Sequence, residues 1–444
     1  MHLRQTQISK LQALLLHCGE RVPFYEKLIP ADLVRERPLD AFFQLPLINK
    51  KSIRSNYFQF LARDLWESEG DFEVISRVLS DSSNCENESP LTLCEGRLLF
   101  FEKTSGSTGT PLKMIKSMKE RMIAGKSAWK LRRGLDGSVR PANMFPFEHA
   151  PINFSFPYDT GDYSPENVRN ILAEIRRRGY VWLHGHPQGL EWWAEIILDD
   201  SSMRGIAEFN YVESNGSKLF ERSRALIEEA FDCRVVDNYN CREVWTVAYE
   251  CKNQRLHLNT DLVLAEVMDE RGEPITEPGR PGRLFITSLY SFAMPFIRYN
   301  LADQVQYAGG ACDCGTQSPI IEVIAGRPSE RVFGRGSLYG SDVFSKVTRY
   351  LYGSFDFQYT QVRVLQVGPE RFAVYVSDFV GDRAEFKAKF HQISQALLEI
   401  EGMAIETHFV DANEQVFRDH PYALFVCKCA GRETAPSQAV GIEL

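Results

Sequence analysis

The sequence lacks any apolar run long enough to cross a membrane, and it lacks the surplus of positive charge that a nucleic-acid surface requires. Lys and Arg number 51 against 59 Asp and Glu, a formal net charge of -8. Nucleic acid is therefore set aside as a partner, and the basic run Arg176, Arg177, Arg178 reads as a solvated helix end. Internal repeats, coiled-coil heptads and low-complexity tracts are also missing, which excludes solenoid and fibrous architectures. The amino end, MHLRQTQISKLQALLLHCGE, has the pattern of an amphipathic helix and no signal-peptide cleavage site, so a cytoplasmic protein is the expectation. Ten cysteines without a secretion signal read as reduced thiols or metal ligands, not as a disulfide framework. Cys18, Cys94 and Cys427 lie among apolar neighbours and read as core filler, whereas Cys312 and Cys314 stand apart.

What remains is an ordinary globular composition, 44% hydrophobic and 25% charged over 444 residues, too long for one core. Its most distinctive stretch is TSGSTGTP, Thr104 to Pro111, placed between the apolar segment Leu98 to Phe101 and the mixed segment Leu112 to Ile115. Glycines permit a tight turn, and free N–H groups with Ser and Thr hydroxyls can wrap polyphosphate oxygens. A plain Ser/Gly hairpin turn has the same composition. The Walker spacing GxxxxGK[ST] is not met, because Pro111 and Leu112 stand where Gly and Lys belong. The flanks predict strand, loop, strand, so no helix N-terminus is offered to a phosphate and the loop works through its own amides and hydroxyls.

The periodicity predicts helices at 4–18, 119–133, 165–178, 190–198 and 218–231, with strands at 143–147, 180–183, 206–212 and 234–237. Residues 66–96, rich in acidic, Ser and Asn residues, read as an irregular excursion. The βαβ rhythm implies parallel strands with helices on both faces and a ligand site at the strands' C-terminal ends, where the loop after Asp237 would lie. From Leu256 to Tyr307 the pattern turns to strands and turns. After Gly326 a smaller unit follows, with a hairpin over 359–367 and 371–376, a helix over 383–400, and strands at 404–410 and 423–426. The fold class is thus α/β: a large layered α/β N-terminal domain at 1–325 with a β-rich subdomain at 256–325, plus a small mobile α+β C-terminal domain at 326–444.

Cys251, His257, Cys312 and Cys314 supply three thiols and an imidazole, a donor set that fits a closed tetrahedral Zn²⁺ site. A glycine-rich turn with incidental thiols is the alternative that spacing alone leaves open. The aromatic stretch 145–163, FPFEHAPINFSFPYDTGDY, is a candidate pocket lining, although aromatic richness more often serves core packing.

Four stretches in order resemble the acyl-adenylate-forming (AMP-binding) superfamily, in its phenylacetate-CoA ligase and CapK-like branch. They are TSGSTGTP at 104–111, DNYNCREVW at 237–245, GRLFITSLYSFAMPFIRYNLADQV at 282–305 and GRPSER at 326–331. They are similar to that family's phosphate loop, its DxYGxxE segment, its stretch ending in RYxTGD and its GRxDD hinge. VPFYEKLI followed by LPLINK is similar too, so the resemblance covers essentially the whole chain.

The resemblance implies activation of a small carboxylic acid by ATP as acyl-AMP, with release of pyrophosphate. The acyl group then passes to the thiol of CoA or of a carrier protein's phosphopantetheine, or to an amine. It implies that Thr104, Ser105, Gly106, Ser107, Thr108 and Gly109 hold phosphates, that Ser105, Thr108 and Glu243 serve catalysis, and that Glu243 binds Mg²⁺. Tyr239 would lie beside the adenine, with Ser214, Asn215 and Gly216 on the other wall, and Asp237 would also belong to the nucleotide site. Asp303 would accept from the ribose hydroxyls and Arg327 would reach the ribose or phosphate. Some members carry similar Cys, His and CxCG elements, which implies zinc at Cys251, His257, Cys312 and Cys314. An acyl carrier protein and a homodimer are the implied macromolecular partners.

The sequence departs from the family at several positions. Where the family has Gly-Lys in its small domain, His420 and Pro421 stand, and Lys428 is seven residues too late. Asn240 replaces a glycine, Leu301 and Ala302 replace Thr and Gly, and Pro328, Ser329 and Glu330 follow Arg327 in place of a double aspartate. A nucleotide-binding or partner-binding relative that no longer adenylates is the alternative these departures support.

Overall fold

Leu11, Leu14, Leu15 and Cys18 recur at helical spacing on the helix Gln5–Arg21 and are fully buried, so one stripe of that helix is core. This and all that follows describe a computed structural model over residues 3–80, 91–92, 97–104, 112–147, 156–158, 160, 164–325, 332–333, 340, 343–344, 347–348, 351, 357–419 and 424–429. The stripe packs on residues far along the chain. Gln7 donates to the Val263 carbonyl at 3.5 Å, Lys10 to the Asp261 carbonyl at 2.7 Å, and a ring nitrogen of His17 lies 2.9 Å from the Phe292 carbonyl. Short helices Pro23–Glu26, Ala31–Glu36, Pro38–Phe43 and Lys50–Ser55 follow, and Ile48 forms a parallel bridge with Tyr299.

Residues 69–80 are a helix, Glu69–Ser80, rather than the irregular segment expected. Ile75 and Val78 supply a buried stripe strong enough to outweigh the Ser and Gly content around it. Strands β1 (Leu91–Thr92), β2 (Leu98–Lys103) and β3 (Lys113–Ser117) form an antiparallel sheet, as strand, loop, strand predicts. Ser117 caps the next helix, Met118–Leu135, in a reciprocal box with Glu120.

The larger sheet has ten strands. Four of them run parallel: β4 (Met144–Pro146), β5 (Trp182–Gly185), β6 (Tyr211–Asn215) and β7 (Arg234–Cys241). They are joined by helices Pro165–Arg178, Pro187–Asp199 and Glu221–Phe231. Each strand neighbours its successor, so right-handed crossovers put all three helices on one face. There Phe145, Leu183, Val212 and Val235 meet Ile171, Trp193 and Ile227. The other face, where Met144 and Trp182 point, receives Trp129 of the helix Met118–Leu135. Helices thus cover both faces, as expected.

The sheet continues through β8 (Trp245–Glu250), β9 (Leu256–Leu258), β10 (Val263–Met268), β11 (Gly282–Ser288), β12 (Tyr299–Tyr307) and β13 (Ile320–Ala325) in the order β10-β11-β12-β13-β9-β8-β7-β6-β5-β4. The β-rich region expected at 256–325 is therefore one continuous sheet with the parallel half, because β8 and β9 pair across the join. Two further expectations are corrected. The strand expected at 206–212 lies at 211–215, since Met203, Ala207 and Phe209 are loop residues packed into the core; and the strand starting at Arg234 runs on to Cys241 instead of ending at Asp237.

Strands β14 (Gln361–Gly368), β15 (Arg371–Ser377), β16 (Ala404–Val410) and β17 (Phe425–Cys427) make a separate sheet ordered β16-β15-β14-β17. Helix Arg383–Leu398 lays Phe386 and Phe390 against Phe344, Phe372 and Phe425, and a short helix, Gln415–Asp419, precedes β17.

Candidate active site

β7 and β8 pair as a hairpin whose last register pair is Cys241 with Trp245, so Arg242, Glu243 and Val244 form its turn. The turn lies at the C-terminal end of the parallel strands, where open α/β sheets bind ligands. Trp245 closes it with φ of 59°, so the left-handed angle falls on Trp245 and not on Asn240, where the ladder bulges instead. A positive φ on so bulky a residue is strained.

Glu243 is buried in this turn. Tyr299 of β12 donates to its Oε1 at 3.1 Å, and its Oε2 has no partner. A buried carboxylate oxygen left unpaired is costly unless a cation or donor fills the place. The residue thus fits a Mg²⁺ ligand, a hard cation that takes carboxylate oxygen. Three residues before the turn's start, Tyr239 donates its hydroxyl hydrogen to Asp303 Oδ2 at 2.5 Å. Asp303 sits on β12 and is buried. Tyr239, Glu243 and Asp303 are therefore brought together by two strands that are far apart in sequence. Ala302, just before Asp303, has φ of 66°, the angle for which a glycine is best suited.

The proposed adenine wall, Ser214, Asn215 and Gly216, ends β6 beside β7. Ser214 Oγ is buried without a partner. Asn215 contacts His184 of β5 through its amide nitrogen. Gly216 has φ of 83°, and a Cβ there would lie 2.8 Å from His186, so glycine is required twice over. Asp237 is tied to its neighbours. Its N–H donates to Glu250 Oε2 at 2.6 Å, and Arg224 donates to the same oxygen at 2.8 Å. Burial and the Glu250 carboxylate push the Asp237 carboxyl up to about 7.

Thr104 closes the neck of the Gly/Ser loop. Its N–H donates to the Leu112 carbonyl and its Oγ1 accepts from the Leu112 N–H, both at 3.0 Å. Its oxygen accepts from the chain, and its hydroxyl hydrogen is left to donate. Ser105, Gly106, Ser107, Thr108 and Gly109 lie outside the described residues, as do Arg327, His420 and Pro421.

The expected metal set does converge. The donor atoms of Cys251, His257, Cys312 and Cys314 all lie within 4.8 Å of one another. Cys251 and Cys312 sulfurs are 3.6 Å apart, and Cys314 Sγ is 3.4 Å from His257 Nε2. A tetrahedral Zn²⁺ with Zn–S of about 2.3 Å and Zn–N of about 2.0 Å has edges of about 3.8 and 3.5 Å. The donors fit. His257 Nδ1 faces the Ser318 carbonyl at 3.1 Å, which leaves Nε2 for the metal, and burial holds the imidazole below its ordinary value and so neutral. Backbone N–H groups of Asn253 and Thr316 donate to Cys251 and Cys314 sulfurs, each at 3.3 Å.

Several buried charge clusters were not anticipated, those of Glu213 and Lys116 among them. Glu213, at the centre of β6, accepts from Arg132 at 2.7 and 2.8 Å, Tyr249 at 2.6 Å, Asn238 at 3.0 Å and lies 2.9 Å from His184 Nδ1. Burial opposes its charge, but Arg132 and the hydrogen bonds hold its carboxyl well below the usual range. Another cluster is Lys116 with Glu102. Glu120 ties the helix Met118–Leu135 to the β11–β12 connection by accepting from the Ala293 N–H at 2.7 Å. Only this last residue had a signal in the sequence, the Ser117-x-x-Glu120 capping box.

With this geometry established, comparison with known proteins places the chain. No protein-family profile matches it. It is 23% identical over 355 residues, 75% of the chain and 72% of the relative, to a phenylacetate-coenzyme A ligase of Thermus thermophilus. Its fold is similar to that of a 2-hydroxyisobutyryl-CoA ligase in a postadenylation state, at 16% identity, TM-score 0.56, and coverage of 92% of this chain and 86% of that one. An acyl acid amido synthetase is similar at 11% identity, TM-score 0.50, with 92% and 86% covered. The fold is that of the acyl-adenylate-forming ligases among these structures, and the sequence is similar to the phenylacetate-CoA ligase-like branch. Among the described residues no helix is long and apolar enough to cross a membrane.

Proposed function

We propose that this protein activates a small carboxylic acid, aromatic or short-chain, with ATP and passes the acyl group to the thiol of CoA or of a carrier protein, or to an amine. The convergence of Tyr239, Glu243 and Asp303 at the C-terminal end of the parallel strands carries the reading. In the first half-reaction a carboxylate oxygen of the acid attacks the α-phosphorus of ATP, the bond to the β-phosphate oxygen breaks, and pyrophosphate leaves. In the second the acceptor attacks the acyl carbon and AMP leaves.

Glu243 would hold Mg²⁺, whose charge offsets that of the phosphates. Asp303, oriented by Tyr239, would accept from the ribose hydroxyls, and Ser214 to Gly216 would wall the adenine. Ser105 to Gly109 would cradle the β- and γ-phosphates and Arg327 would reach the ribose. Cys251, His257, Cys312 and Cys314 would hold Zn²⁺ as a structural staple with no position left for catalysis. Units 1–325 and 326–444 would move relative to one another between the half-reactions, and the setting would be cytoplasmic.

Pyrophosphate release from ATP and Mg²⁺, measured across aryl and alkyl carboxylates with hydroxylamine present to trap acyl-adenylate, tests this. Acid-dependent release is the expected result. Silence across the panel, with ATP still raising Tm, would favour the second reading, a nucleotide-binding relative without adenylation, which His420 and Pro421 in place of Gly-Lys support.

A further inference from the structure

Lys116 lies mid-strand in β3 and is 2% exposed, an uncommon place for an ammonium group. It donates to Glu102 Oε2 of β2 at 2.8 Å and to the Arg242 carbonyl at 2.5 Å. Arg242 is the residue before Glu243. Glu102 Oε2 also accepts from the Trp245 indole N–H at 3.2 Å, and the Lys116 ammonium lies 5.2 Å from the centre of the Trp245 ring. The same charged pair therefore grips both sides of the Glu243 turn, at Arg242 and at Trp245, whose left-handed backbone is otherwise unfavourable. The paired Lys103 and Lys113 ends of β2 and β3 run into the neck at Thr104 and Leu112, from which the Gly/Ser loop springs.

A buried ion pair is a poor way to gain stability, since well-packed apolar residues of similar volume do as well or better. Packing alone does not explain why a strand pair in the core carries one. We propose that Lys116 is a positioning residue: it locks the turn bearing Glu243 to the β2–β3 hairpin, so that the Glu243 carboxylate keeps a fixed place for Mg²⁺. The Glu243 carboxylate is then held from two sides, through its own Oε1 by Tyr299 and through its backbone neighbour by Lys116, with Oε2 left for the cation. This rests on the reading of Glu243 given above.

The test compares the intact protein with Lys116→Met and with the double variant Glu102→Gln/Lys116→Met, which strands no buried charge. ATP affinity is measured calorimetrically with and without Mg²⁺, alongside Tm. The double variant is expected to keep a wild-type Tm within a few degrees and wild-type affinity for metal-free ATP. It is expected to lose about tenfold or more of the affinity that Mg²⁺ adds, the range seen when residues that orient metal ligands are removed. In the pyrophosphate assay it should need correspondingly more Mg²⁺ with KM for the acid unchanged. Wild-type Mg²⁺ dependence in the double variant, or equal loss of both affinities, would overturn the proposal and leave Lys116 a structural residue. If the wild-type protein itself gains no ATP affinity from Mg²⁺, the underlying reading of Glu243 fails and the proposal falls with it; the wild-type titration alone separates that case.

Discussion

The phenol of Tyr239 and the carboxylate of Asp303 meet at 2.5 Å across 64 residues of sequence, joining the motif at the end of β7 to the one on β12. A hydrogen bond to a charged group is worth about 1.5–3 kcal/mol. Tyr239→Phe should therefore free the Asp303 side chain to rotate and weaken ATP binding by roughly tenfold, at about 1.4 kcal/mol per decade, with little change in KM for the acid. Calorimetric ATP titration of the variant checks this; an unchanged Kd would mean that Asp303 is oriented by other contacts.

The purified protein should carry zinc at one equivalent per chain, read by atomic emission. Cys312→Ser should lose it and lower Tm by roughly 3 °C, corresponding to about 3 kcal/mol for a chain of this size. Metal-free protein with a wild-type Tm would show that the four donors are held by hydrogen bonds alone.

Asp237 gives stability a pH dependence of unusual sign for a carboxylate. Its folded value of about 7 lies above the unfolded value of about 3.9. Folding therefore favours the protonated form. The contribution is fully present below the unfolded value and is lost as pH rises through the folded one. Asp237→Asn should flatten the fall in Tm between pH 4 and 7 (roughly the window set by those two values) and exceed wild type above it. A variant whose Tm tracks wild type at every pH would sink the assignment.

Ala302→Gly should stabilise the protein by about 1 kcal/mol, since φ of 66° costs alanine but not glycine. The denaturant midpoint of unfolding reads it. No shift would mean that the strand absorbs the strain elsewhere.

How much of this was legible beforehand differs from element to element, for physical reasons. The helix Pro165–Arg178 has its signals in its own sequence: Pro at the first turn, an apolar stripe, and Gly179 at the left-handed C-cap. The cluster of Cys251, His257, Cys312 and Cys314 was also readable, because thiols and imidazole are rare enough for such a set to mean something. The helix Glu69–Ser80 was hidden by weak helix formers on both sides. Lys116 and Glu213 were hidden more deeply, because a charge in a strand reads locally as a solvent-facing position. Only the partners, Glu102 and Arg242 for one and Arg132, Tyr249 and Asn238 for the other, make burial possible, and those arrive from up to 126 residues away. The continuity of the large sheet through β8 and β9 likewise depends on pairings that no local pattern encodes.

The helix Gln5–Arg21 also has a consequence for synthesis. Its buried stripe lies against Val263, and its His17 meets the Phe292 carbonyl, 275 residues later. At roughly 5–20 residues per second on the ribosome, Leu11, Leu14 and Leu15 emerge about 15 to 55 s before their partners exist. During that interval an apolar stripe stands in water, and the nascent chain is a client for whatever holds exposed helices in solution. Fusion partners or slow codons that lengthen the wait should lower the yield of folded protein, while substitutions outside the stripe should leave it unchanged.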